Sequence, residues 1–240
     1  MNEANDSLGR LAAATGRLLA TAATLSDAQV REPSALPGWT RGHVLAHVAR
    51  NADGLGNLLI WARTGTETPM YPSAQARNDD IEAGAGRPAA FLAADVRESA
   101  AFFAAEAAAV PDGAWAAQVR ALYGAPFPAF RVLERRLSEV EIHLVDLAAG
   151  YSPADWPGEF VTDALPRVAD SFAGRADAPR CLVWAAGPPH FRIGPDQGGP
   201  QPVSIHGSPA DVLAWLLGRA DGTRLTVPSG GTAPELPPWR

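Results

Sequence analysis

Arg135-Arg136-Leu137-Ser138-Glu139-Val140-Glu141-Ile142-His143-Leu144-Val145-Asp146 is the stretch on which the reading of this chain turns. It lies within a segment, about 129–148, that follows Pro126 and Pro128, and Gly150 is placed to end it in a left-handed cap. On a helix, Glu139 and His143 are four residues apart and project from one face, so both can grip a single ion. Asp146 lies one turn on and can orient an imidazole through its second nitrogen. Glu141 points elsewhere. The same spacing also occurs in ordinary surface ion pairs, so it needs a partner helix to mean more.

That partner is the segment after Leu36-Pro37-Gly38-Trp39, where Thr40 is placed to cap a helix running to about Arg63. It carries His43 and His47, again four apart, and spacing leaves open which of them faces Glu139 and His143. Either choice gives two histidines and one carboxylate, a donor set that leaves coordination positions free. A first helix is expected near 4–24 and a third near 88–109, after a long connection holding Pro69, Pro72, Gly84 and Gly86. Four helices with a long crossover read as a four-helix bundle, whose core is a natural place for such a site.

After Gly150 the pattern changes. Cys181–Ala185, Phe191–Ile193, Val203–Ile205 and Leu225–Val227 read as strands, and Ser208-Pro209 opens a helix to about Gly218. The fold class expected is α+β: a helical domain over 1–155 and a small α/β domain over 156–240, joined near 152–158. His190 and His206 sit beside expected strands and read as structural.

Composition removes several function classes. The net charge of -6 argues against nucleic acid, which calls for a clustered basic surface. All 20 basic residues are arginine, so no lysine chemistry is available. The one cysteine, Cys181, sits in an apolar stretch and can form neither an intrachain disulfide nor a cysteine-rich zinc site. Met1–Asp6 does not resemble a signal peptide, and no apolar run reaches membrane-spanning length, so a cytoplasmic chain is expected, with a monomer as the simplest state.

Gly38-Trp39-Thr40-Arg41-Gly42-His43-Val44-Leu45-Ala46-His47-Val48-Ala49-Arg50-Asn51-Ala52 resembles the N-terminal signature of mycothiol-dependent maleylpyruvate isomerases. So do Thr68-Pro69-Met70-Tyr71, Ala76-Arg77-Asn78, the run Glu139–Leu147, Gly218-Arg219-Ala220-Asp221-Gly222 and the closing Pro237-Pro238-Trp239. The resemblance implies a DinB-like bundle followed by a small α/β domain. It also implies zinc held by His47, Glu139 and His143, with His43 at a non-ligand position and Arg219 as the arginine near the active site. Glu141 departs from relatives, which can carry tryptophan there.

The activity implied is a cis-to-trans isomerisation of maleylpyruvate to fumarylpyruvate. A C=C bond is stiffer than the peptide bond, whose barrier is already roughly 18–20 kcal/mol, so the double bond has to be removed for a time. Addition and elimination of a thiolate does this. Cys181 is badly placed to supply it, so the thiol comes from outside as mycothiol, activated by metal coordination. Guanidinium groups are then expected to meet the ketoacid's charge, Arg219 first and Arg77 second. A mycothiol S-transferase acting on another electrophile, and a non-catalytic zinc-stabilised module, are the competing expectations.

Overall fold

The computed structural model describes residues 2–185, 190–198 and 201–239, with side chains from residue 6 onward. It divides into two compact units, Met1–Gly150 and Tyr151–Arg240, and the fold is α+β. None of the described helices is long and apolar enough to cross a membrane.

The first unit is built on four long helices: α1 (Asn2–Thr24), α3 (Arg41–Thr64), α5 (Ala89–Ala109) and α6 (Arg131–Asp146). They pack in a ring, α1 against α6, α6 against α3, α3 against α5 and α5 against α1, which closes a four-helix bundle. A single turn, α2 (Asp27–Val30), lies between the first two. Helix α3 is buried along most of its length, with Val44, Leu45, Val48, Leu55, Leu58 and Leu59 all shielded from solvent. At its start Thr40 and His43 form a reciprocal capping box, and at its end Gly65 adopts the left-handed φ of 72°.

Two features of this unit depart from expectation. The connection between Thr64 and Ala89 contains a helix, α4 (Ala74–Ala85), capped by Ser73 and packed on α3. The two helices approach so closely that a Cβ on Gly42 would overlap the Ala85 carbonyl. Before α6, two short strands, β1 (Gln118–Val119) and β2 (Phe127–Pro128), pair antiparallel. The turn after α6 enters the left-handed region at Ala148, φ 49°, ahead of Gly150.

In the second unit, α7 (Gly158–Asp170) occupies a stretch with no expected element, and Pro166 lies inside it. Strands β3 (Cys181–Ala185), β4 (His190–Ile193) and β5 (Val203–Gly207) form one sheet in the order β4-β3-β5. β3 runs antiparallel to β4 and parallel to β5. Alternation puts Cys181, Val183, Ile193 and Ile205 in the core, and α8 (Pro209–Leu216) packs on β3 and β5. The expected strand at Leu225–Val227 is reduced to one isolated bridge, Thr226 to His206. Burial raises the Cys181 thiol to about 11, so it stays protonated at neutral pH and is a poor nucleophile.

Candidate metal centre

His47 projects from the second turn of α3, and Glu139 and His143 from one face of α6. Their ligand atoms converge. His47 Nε2 lies 2.9 Å from His143 Nε2 and 3.2 Å from Glu139 Oε2, and His143 Nε2 lies 3.3 Å from the same oxygen. Donors about 2.0–2.1 Å from a tetrahedral zinc stand about 3.3 Å from one another, so the triangle is nearly the face of such a tetrahedron. The group holds three donors and, among the described residues, no fourth. The chemistry fits as well: imidazole and carboxylate together suit zinc and its divalent neighbours.

The surroundings fix each donor. Asp146 is wholly buried and its Oδ2 lies 2.8 Å from His143 Nδ1, which fixes the ring and leaves Nε2 facing the triad. Trp39 packs edge-on against His47, with centroids 5.6 Å apart. Burial and the neighbouring His143 push His47 down to about 4, so its ring is neutral at ordinary pH. Burial works against ionisation of Glu139, but hydrogen bonds from His143 and His47 outweigh it and hold the carboxyl well below its usual range. Burial likewise opposes a charge on His143, yet Asp146 and Glu139 prevail and raise it.

His43 goes elsewhere. Its Nδ1 accepts from the Thr40 backbone N–H at 3.2 Å, and its Nε2 meets Glu82 at 3.3 Å. Spacing had left His43 and His47 equivalent; capping separates them. Glu141 is also not a surface residue. It is fully buried and paired with Arg17 of α1, so the departure noted in the sequence is an internal ion pair.

Arg77, on α4, donates from Nη2 to His47 Nδ1 at 3.0 Å. Arg219 lies just past α8 in the second unit, where its Nη1 donates to the Leu217 carbonyl at 2.7 Å. Two further arginines, which helical spacing and resemblance did not mark, sit between α3 and α6. Arg41 donates from Nε to the Leu147 carbonyl at 2.7 Å and from Nη2 to that of Ala148 at 2.9 Å, closing the C-terminal end of α6. Arg136 donates from Nη1 to the Val48 carbonyl and to Asn51 Oδ1, both at 2.9 Å. The second histidine pair, His190 and His206, stacks on either side of Trp184 in the sheet.

The likenesses to known proteins follow the same outline. The mycothiol maleylpyruvate isomerase N-terminal domain matches residues 11–148, and the MDMPI C-terminal domain matches residues 155–238. A crystal structure of the mycothiol-dependent maleylpyruvate isomerase aligns at 30% identity and a TM-score of 0.89, covering 98% of this chain and 97% of that one. A histidine-to-alanine mutant solved under the same name aligns at 29% identity and a TM-score of 0.91, with the same coverage. No curated protein matches the chain. With both halves matched in order, the chain belongs to the mycothiol-dependent maleylpyruvate isomerase family.

Proposed function

We propose that this chain converts maleylpyruvate to fumarylpyruvate with mycothiol as the thiol, using a divalent metal, zinc, held by His47, Glu139 and His143. The observation that carries this reading is the convergence of three donor atoms at tetrahedral spacing within a whole-chain likeness to that enzyme. Three donors, the number found among the described residues, would leave a tetrahedral ion one further position, as catalytic rather than structural zinc sites do. When bound, the metal supplies a thiolate at neutral pH, and reversible addition of that thiolate turns the stiff double bond into a single bond free to rotate.

The chain's own residues prepare for anions. Glu139 and Asp146 contribute two negative charges around the triad, and Arg77 and Arg136 two positive ones. With the proton of His143 displaced, these four charges balance, and the charge of an entering cation would be left to be met by a thiolate and a carboxylate. Arg77 has a specific part. A guanidinium only donates, so His47 Nδ1 accepts from it in this arrangement. Were Nε2 to hold the ion, the neutral ring would carry its proton on Nδ1 and could not accept there. Arg77 would then be free of His47 and available to a substrate carboxylate. Arg219 is the second guanidinium assigned to substrate, on the family resemblance, and the enzyme is read as a cytoplasmic monomer acting on small molecules.

The direct experiment supplies zinc-loaded protein with mycothiol and maleylpyruvate and follows product by chromatography. Fumarylpyruvate formed only when the thiol is present supports the assignment. Turnover of a different electrophile, with maleylpyruvate untouched, reassigns the same site to S-transfer.

A further inference from the structure

Among the described residues Arg136 is the largest fully buried side chain, 1% exposed, and it makes no ion pair there. Its Nη1 is fully used on α3, while its Nη2 meets no hydrogen-bond partner at all. Burial lowers it to about 10, which leaves it cationic at neutral pH. A cation enclosed in this way is costly, and a well-packed apolar residue of similar volume commonly serves stability as well or better. Stability alone does not account for it.

Its position does. Val48 directly follows His47, and Asn51 lies one turn beyond it; Arg136 lies one turn before Glu139. Its bridge therefore crosses from α6 to α3 about one helical turn from the ligands, or roughly 5 Å along the axes. Arg41 makes the matching crossing at the other end, from the start of α3 to the Leu147 and Ala148 carbonyls just past α6. The triad stands between the two crossings, and Asn51, 3% exposed, has its side-chain oxygen committed to Arg136.

From this bracket we infer that Arg136 and Asn51 form a positioning pair, which fixes the spacing of α3 and α6 so that His47, Glu139 and His143 stand ready for the ion. The inference rests on the metal reading proposed above. Neither residue touches the ion; both act through the helices that carry the ligands.

The test measures zinc affinity by competition with a chromophoric chelator, alongside the melting temperature in excess chelator, for Arg136→Met, Arg136→Lys and Asn51→Ala. Supporting residues of metal ligands typically cost about 10–100-fold in affinity when changed. The expected result is a loss of about tenfold or more for Arg136→Met and a smaller loss for Arg136→Lys, with the metal-free melting temperature of Arg136→Met equal to or above that of the wild type. A purely structural role would lower that temperature and leave the affinity of the folded protein unchanged. Should Arg136→Met fail to fold, Asn51→Ala decides, since it removes one acceptor and keeps the arginine. Wild-type-like affinity in the folded variants overturns the pair. A wild type that binds no zinc overturns the metal reading itself, and the two failures are told apart by that control.

Discussion

The protein holds two groupings of histidine, and they are built on opposite principles. In the helical unit, His47 and His143 meet nitrogen to nitrogen at 2.9 Å with a carboxylate beside them, and Asp146 holds the far side of one ring. In the sheet, His190 and His206 meet Trp184 face to face, with centroids at 4.5 and 5.8 Å and planes within 29° and 12°. The sheet register explains the second case: Trp184 is opposite His190 on one side and His206 on the other, so all three rings share one face. Rings stacked this way offer ring surface to one another and, among the described residues, bring no carboxylate to a shared point. Histidine content says little; lone pairs aimed at one point, with a fixed second nitrogen, make a ligand set.

Removing the aimed nitrogens should break the difference most severely. His47→Ala and His143→Ala are each expected to abolish zinc retention through dialysis and mycothiol-dependent turnover together, read as zinc per chain and product formed. Full activity in either variant would refute the ligand assignment. Asp146→Asn keeps all three donors but weakens the support of His143, and is expected to cost about 10–100-fold in zinc affinity.

Acid should act in the same direction. His47 is neutral above about 4 and Glu139 is held ionised well below its usual range, so the proton that zinc must displace is the one on His143, whose affinity for it is raised above the usual 6.5. Zinc affinity should therefore be highest above that raised value. It should fall by about tenfold per pH unit as pH drops through and below it, one proton being exchanged for each ion. A pH-independent affinity between 5 and 8 would contradict this. Arg77→Ala sharpens the comparison with a gain: it removes the donor that occupies His47 Nδ1, so zinc should bind a few-fold tighter while use of maleylpyruvate declines. Smallest of all is the effect expected in the sheet. His190→Ala with His206→Ala should leave zinc content and turnover unchanged and cost about 0.5–1.5 kcal/mol per lost aromatic contact, seen as a modest drop in melting temperature.

The sequence exposed much of this site, because its donors follow helical spacing. Glu139 and His143 share a face by their interval alone, and Asp146 follows one turn later. The choice of His47 over His43 was legible only by resemblance, since the capping box that occupies His43 requires knowing where α3 begins. Helix α4 escaped notice because Ile81 and Ala85 are its only buried residues, too few to make an apolar stripe, although the Ser73 cap was there to read. The signal for α7 was stronger: Phe160, Val161, Ala164, Leu165 and Val168 form a clear buried face, masked by prolines at 157 and 166. Arg136 could not be told from Arg135 in the chain. They are neighbours about 100° apart on α6, and only the opposing carbonyl of Val48 shows that Arg136 turns inward while Arg135 lies over the Phe127 ring.

Cobalt can stand in for zinc and report on its own coordination. The account predicts that protein loaded with one equivalent of cobalt shows tetrahedral visible bands, and that adding mycothiol produces a sulfur-to-metal charge-transfer band that is absent when Glu139 is changed to Ala. A cobalt spectrum indifferent to the thiol, in protein that retains its ion, would contradict the claim that this triad presents a metal to an outside sulfur.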